Sequence, residues 1–277
     1  MKNKKLFASL MMLVAAISWG LAYSVQTIMA DLGTFTITFF KCIGGFLLLA
    51  IALIKKAKFT KTTIIFGIIV GVINFLGCAC QQKGLELSST TNASFITSLY
   101  IVMVPLLGLF LGKKVNKKTW LAIAIALVGM YLLCISGEFK LRIGDIILLF
   151  AALFFALQIV IIDNKVGEVD PLPFAAVQQV TASILAGSIM IFVEKPNPST
   201  LLSYWPLLAF LSLISGALSM FIQNRFQPDV GPTLASLIMS FESVFGALFA
   251  WIILNQALSI REIIGGALIF IAIIIAE

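Results

Sequence analysis

The chain has 277 residues, of which 61% are hydrophobic and 11% charged, where a soluble domain carries about 25% charged residues. With a mean hydropathy of +1.10, it holds more apolar surface than a water-soluble fold of this size can hide, since about 30% of the chain's area stays exposed. Soluble enzymes, nucleic-acid-binding modules and disordered chains are thereby excluded. The formal charge of +7 does not imply an acidic partner, because the basic residues cluster between apolar runs as topology signals do.

A bilayer-spanning helix needs about 20 mostly apolar residues. Ten such segments are predicted, at 7–29, 34–54, 64–82, 91–111, 119–136, 143–162, 172–193, 205–225, 232–254 and 261–276. This is an all-α membrane protein whose short connections leave no room for a soluble domain. The run after Lys2, Lys4 and Lys5 continues past Trp19 and Tyr23 to Met29, too far for a cleaved signal sequence, so segment 1 reads as an uncleaved helix. Trp19 and Tyr23 are four residues apart and share one helical face. Segment 2 carries Lys41, roughly 10 Å below the surface at 1.5 Å per residue. Segment 3 combines Gly67 and Gly71, a close-packing pair, with Asn74, Gln81 and Gln82. Segment 4 contains Asn92, Tyr100 and Pro105; the proline removes the hydrogen bond to Ile101 and predicts a kink just beyond Tyr100.

Segment 5 opens with Trp120 and segment 8 comes after Tyr204 and opens with Trp205, all three placed as interface anchors. Gln158 lies in segment 6, Gln178 and Gln179 in segment 7, and Gln223 and Asn224 at the end of segment 8. Glu242 falls near the middle of segment 9, where an ionisable group costs about 2.5–3.5 kcal/mol. Segments 5 and 10 have no Asn, Gln or ionisable residue in their apolar interiors, so these two are expected to face lipid. Segments 1, 3, 4, 6, 7, 8 and 9 are expected to surround any cavity. The cysteines, Cys42, Cys78, Cys80 and Cys134, all lie in apolar runs and read as small packing residues. A Cys-x-Cys with no histidine in the chain is a poor metal site.

Two patterns organise these segments. Thirteen of the nineteen basic residues fall on one side of the predicted topology and five, Lys83, Lys140, Arg142, Lys195 and Arg261, on the other. That bias places both termini in the cytoplasm of a multi-pass cell-membrane protein. The chain also repeats itself: moved forward by 142, residues 81–106 fall on 223–248 without a gap. Gln81 then meets Gln223, Lys83 meets Arg225, Ser98 meets Ser240 and Tyr100 meets Glu242. The halves are 1–137 and 138–277, with five helices each. Five is odd, so the second half is inverted relative to the first, the construction of many secondary transporters.

Several short runs carry a resemblance. They are Ser18-Trp19-Gly20, the basic Lys41, the run from Leu99 to Leu107 with Gly112-Lys113-Lys114 after it, and Ser240-Phe241-Glu242-Ser243-Val244-Phe245-Gly246. In this order they resemble the drug/metabolite transporter superfamily, specifically its EamA-like families, over the whole chain. The resemblance implies a carrier of small metabolites or amphipathic compounds, often an exporter of amino acids. Two positions depart from it. Lys41 stands where relatives usually carry Arg, which removes a bidentate contact. Ser243 stands where relatives usually carry Pro, which predicts a softer bend in segment 9.

Candidate chemistry comes from the polar residues. Glu242 reads as a proton site or a ligand for a substrate cation, or else as a buried acid holding helices together. Lys41 reads as a gating or charge-bearing residue, or as one that binds a carboxylate. The substrate-binding candidates are Trp19, Tyr23, Asn74, Tyr100, Gln158, Gln179 and Glu242. Because Gln178 and Gln179 point about 100° apart, only one can face fully inward, and Gln179 is assigned to the cavity. Enzyme readings lack an inventory: the chain has no His, no paired membrane carboxylates and no hydrolase or metalloprotease motif. The expected function is secondary transport of small metabolites by alternating access, with amino acid export first and efflux of hydrophobic organic cations as the alternative. A membrane scaffold is a third reading, with no use for a midplane acid. No cofactor, metal or nucleic acid is expected. The expected partners are a small-molecule substrate and the lipid bilayer, with the protein a monomer or homodimer.

The topology has a direct test. In a background without the native cysteines, cysteines introduced at positions 114 and 140 are expected on opposite faces, so an impermeant thiol reagent added outside cells labels 140 and spares 114. Labelling of both from one side rules this topology out.

Overall fold

The structure, a computed structural model, describes residues 2–88, 90–134, 142–165, 167–255 and 258–276. Lys140 and the side chains of Asn92 and Cys134 lie outside them. Among the described residues there are helices and no strands, as lipid demands: a backbone deprived of water must satisfy its N–H and C=O groups internally. The helices of the first half are α1 (Lys2–Ile28), α2 (Thr34–Ile43), α3 (Gly45–Ile54), α4 (Lys61–Leu87), α5 (Thr90–Thr97), α6 (Tyr100–Phe110) and α7 (Lys117–Cys134). Those of the second are α8 (Ile143–Asn164), α9 (Pro171–Ile189), α10 (Pro198–Ser203), α11 (Trp205–Ala209), α12 (Ser219–Val230), α13 (Pro232–Met239), α14 (Glu242–Leu254) and α15 (Ile260–Ala276). Two stretches widen into π-helix: Met190–Glu194 extends α9, and Phe210–Leu218 joins α11 to α12.

Eight helical stretches are long and apolar enough to cross a membrane: Asn3–Ile28, Thr34–Ile54, Lys61–Leu87, Ala93–Phe110, Ile143–Asn164, Pro171–Glu194, Trp205–Val230 and Pro232–Ile253. Two further helices, α7 with 18 residues and α15 with 17, occupy the places of predicted segments 5 and 10. These two pack against each other. Backbone meets backbone at their crossing: a Cβ on Gly265 would lie 2.5 Å from the Gly129 carbonyl, and one on Gly129 would lie 2.7 Å from the Gly265 carbonyl.

Several crossing stretches are interrupted. Gly44 separates α2 from α3. Ser98 and Leu99 separate α5 from α6, and Ser240 and Phe241 separate α13 from α14. At each of the last two breaks the bonds tighten by one residue: Leu99 N–H donates to Ile96 O at 3.1 Å and Phe241 N–H to Ile238 O at 3.2 Å. The kink expected beyond Tyr100 therefore lies before it, and Pro105 sits inside an unbroken α6. Proline is not the cause, since the second break has none and occurs despite Ser243. Both breaks fall at positions related by the 142-residue shift. The observed α4 also runs five residues beyond the predicted end of segment 3, to Leu87.

Polar ends are closed across the structure. The Glu194 carboxylate accepts from Phe35 N at 2.8 Å, Thr36 N at 2.6 Å and Thr36 Oγ1 at 2.7 Å, satisfying the first turn of α2 from the end of the π-helical extension of α9. Gly33, at φ +87°, makes this possible, because a Cβ there would stand 2.7 Å from the carboxyl carbon. Gly67 and Gly71 bring α4 against Val177 and Gln178 of α9, the close packing expected of that pair.

The α7–α15 crossing has a built-in control. Gly265→Ala forces two backbones apart and is expected to cost roughly 1–3 kcal/mol, whereas a Cβ on neighbouring Gly266 finds its nearest atom at an ordinary 3.4 Å. Thermal unfolding in detergent should therefore separate Gly265→Ala from a near-neutral Gly266→Ala. Equal midpoints would contradict the crossing.

Candidate functional site

The breaks and the polar faces converge on one cavity. Its walls come from α1, α2, α4, α6, α8, α9, the π-helical stretch 210–218, α12, α13 and α14; among the described residues, α7 and α15 contribute none. All seven substrate-binding candidates, Trp19, Tyr23, Asn74, Tyr100, Gln158, Gln179 and Glu242, line it, and so does Lys41. Gln178 turns the other way, accepting from Asn224 Nδ2 at 3.0 Å on α12.

One pole of the cavity is Glu242, the first residue of α14, buried and accepting from Tyr100 Oη at 3.3 Å. Tyr100 is itself the first residue of α6. The two helix breaks thus deliver their side chains to each other. Ser98 Oγ and Ser243 Oγ share a hydrogen bond of 2.8 Å alongside, and Ser243 Oγ also donates to Ser94 O at 3.3 Å. Gly20 lets α1 cross here, since a Cβ on it would lie 2.8 Å from Glu242 O. That crossing gives Ser18-Trp19-Gly20 a structural reason: Trp19 is held at the cavity by donating Nε1–H to Ser215 O at 2.9 Å, in the π-helical stretch.

The other pole is Lys41, in the last turn of α2. Its Nζ donates to Gln81 Oε1 at 3.2 Å, and Gln81 Nε2 donates onward to Tyr23 Oη at 2.9 Å. Each charge sits at the helix end whose dipole favours it, the carboxylate in a first turn and the ammonium in a last turn. Among the described residues no ion pair joins Lys41 or Glu242 to an opposite charge.

Between the poles the wall is made of paired amides and sulfur. Asn74 Nδ2 donates to Gln179 Oε1 at 2.8 Å, and Cys78 Sγ lies 3.7 Å from Asn74 Oδ1. Gln158 Nε2 donates to Gln223 Oε1 at 3.2 Å, Gln223 Nε2 to Gln227 Oε1 at 3.0 Å, and Gln227 Nε2 to Ile159 O at 2.7 Å. Gln81 and Gln223, which sequence reasoning left among general interhelical hydrogen bonders, line the cavity; so do Cys42 and Cys78, read there as packing residues. The signal for the two glutamines was their alignment under the 142-residue shift. None was available for the cysteines, which are brought together only by the packing of α2 against α4.

The model of the EamA-like transporter family matches residues 6–135 and again residues 142–276. The chain belongs to the EamA-like transporter family. This EamA-like chain is 30% identical over 282 residues to an uncharacterized transporter of Archaeoglobus fulgidus, covering 99% of this chain and 87% of the relative. It is 24% identical over 201 residues to an uncharacterized transporter of Methanothermobacter thermautotrophicus, covering 69% and 58% of the two chains. A protein of known crystal structure shares the fold with a TM-score of 0.80 over 98% of this chain and 96% of its own, at 18% identity. The EamA-like chain is a multi-pass membrane protein of a transporter family, whose task is moving small molecules rather than transforming them.

Proposed function

We propose that this EamA-like transporter exports zwitterionic amino acids or their derivatives by alternating access, with Glu242 as the coupling residue. The observation that carries the reading is a single cavity with one carboxylate and one ammonium that are not paired with each other. A molecule with both charges satisfies both poles, and the Trp19–Tyr23 face gives its ammonium a cation–π surface. A carrier of hydrophobic organic cations has no use for Lys41 and would suffer its repulsion. Substrate contacts are assigned to Trp19, Tyr23, Asn74, Tyr100, Gln158, Gln179 and Glu242.

Alternating access rests on two inverted five-helix repeats, 1–137 and 138–277, which make ten crossings. The reading is supported by the double match of one family model and by helix breaks at shift-related positions that border the cavity. Broken helices at a repeat interface are where secondary transporters bind substrate. Cytoplasmic termini are supported by contacts among basic clusters assigned to one side: Lys4 and Arg225 both pair with Asp229, at 2.8 and 3.4 Å. The same end carries the Lys113–Asp163 pair.

Glu242 faces Tyr100 from α6 and, across the cavity, Tyr23 from α1 and Lys41 from α2. A carboxylate stripped of water can accept either a proton or a substrate ammonium, and mutual exclusion between them is the minimal logic of proton–substrate antiport. Proteoliposome flux measured for a panel of amino acids and for a lipophilic dye should register amino acids. Between about pH 6 and pH 8, transport by the native protein should vary with pH. Glu242→Gln should fold, bind substrate and lose that variation. A pH-independent native carrier, or a Gln variant with the full response, removes Glu242 from coupling, and dye transport without amino acid transport removes the substrate class.

A further inference from the structure

Gln81 occupies a peculiar place on the Lys41 side of the cavity. A lysine ammonium has three donors, and Lys41 is half-buried where it borders the cavity. Here the hydrogen bond is to one neutral amide oxygen at 3.2 Å, longer than the roughly 2.7–2.9 Å of an ammonium on a carboxylate. The other end of the same amide is committed to Tyr23 Oη at 2.9 Å, so Gln81 couples the cation to the aromatic wall. Its shift-related counterpart, Gln223, has the same arrangement with amides alone, accepting from Gln158 and donating to Gln227. Of the two, Gln81 is the glutamine that reads a charge.

We propose that Gln81 is a specificity-determining residue whose Oε1 holds, on Lys41 Nζ, the position that a carboxylate oxygen of the transported molecule takes. The inference rests on the transport reading of the cavity and narrows its substrate to molecules bearing a carboxylate. Binding is then an exchange of a neutral acceptor for an anionic one. A weak occupant is what such an exchange requires: an amide gives the half-buried ammonium an acceptor, yet yields to a carboxylate, which adds the attraction of a full negative charge. A glutamate at this position would satisfy Lys41 permanently and close the pole. An apolar residue would leave the ammonium without an acceptor. Release of Gln81 from Lys41 also frees its amide to turn with Tyr23, so the ligand's carboxylate is felt at the aromatic face.

The test uses the purified full chain and two readouts, thermal stability and binding of L-leucine against L-leucinamide, which keeps the ammonium and lacks the carboxylate. Native protein should bind leucine about tenfold or more tightly than leucinamide, the scale of one charge-assisted contact. Gln81→Glu should collapse that preference to about twofold or less. Without any ligand, Gln81→Glu should raise the unfolding midpoint in the native background and not in Lys41→Met. Gln81→Leu, which removes the amide occupant, should increase stabilisation by leucine over that in the native protein and leave leucinamide unchanged. The inference is overturned by a Gln81→Glu protein that keeps the native preference, by a stability gain independent of Lys41, or by a Gln81→Leu protein that leucine stabilises no better than leucinamide. A native protein that binds neither compound defeats the amino acid reading, and the ligand-free stability cycle then still decides whether position 81 presents an acceptor to Lys41.

Discussion

A bilayer gives the backbone no water, and that constraint shapes everything else in the molecule. Every N–H and C=O inside it must be satisfied by the protein, so irregular backbone survives only where it is buried or lines a cavity. The departures from regular helix that border the cavity obey that rule. The breaks at Ser98–Leu99 and Ser240–Phe241 bring Tyr100 and Glu242 to the cavity. Gly44 ends α2 a few residues after Lys41 and Cys42. The π-helical stretch Phe210–Leu218 supplies the carbonyl of Ser215 that holds the Trp19 indole. Regular helix in α7 and α15 goes with their absence from the cavity wall.

The same breaks make the two charges tolerable. An isolated ionised group in an apolar medium costs several kcal/mol even after relaxation. Lys41 and Glu242 escape part of that cost through the helix ends they occupy and through hydrogen bonds from or to Gln81 and Tyr100. Pairing them directly would remove the rest, and would also leave nothing for a ligand to do. The arrangement holds two charges in a partly satisfied state, with neutral amides and phenols as partners that a charged ligand can outcompete.

Much of this was legible because polar residues in lipid are costly and therefore placed for a reason. Trp19, Tyr23, Asn74, Tyr100, Gln158, Glu242 and Lys41 could be singled out by depth, whereas depth does not separate Gln179 from its neighbour Gln178. The polar-free interiors of segments 5 and 10 foretold which helices stay away from the cavity. The helix breaks were illegible: Ser98–Leu99 and Ser240–Phe241 contain neither Gly nor Pro, and Pro105 drew attention to the wrong turn. Gln81 was missed for a geometric reason. Segment 3 is predicted to end at residue 82, with Gln81 in its last turn, whereas α4 continues to Leu87 and carries Gln81 further inward. The Asn74–Gln179 pair and the meeting of Cys42 with Cys78 across Asn74 depend on packing between distant helices, which local pattern does not encode.

The shift-related positions separate scaffold from chemistry. Ser98 and Ser240 stand at equivalent breaks, and Gln81 and Gln223 at equivalent places on the cavity wall. At these positions the two halves keep the same residue, as expected where the job is to bend a helix or pass on a hydrogen bond. The differences fall where a charge is needed. Tyr100 faces its counterpart Glu242 as donor to acceptor, so one half supplies the acid and the other a neutral hydroxyl. The amide of Gln81 meets Lys41, while that of Gln223 meets another amide. A duplicated frame with equivalent breaks provides two similar half-sites around one cavity. Substitution at one or two positions in each then gives that cavity a positive and a negative end, and with them a preferred orientation for whatever binds.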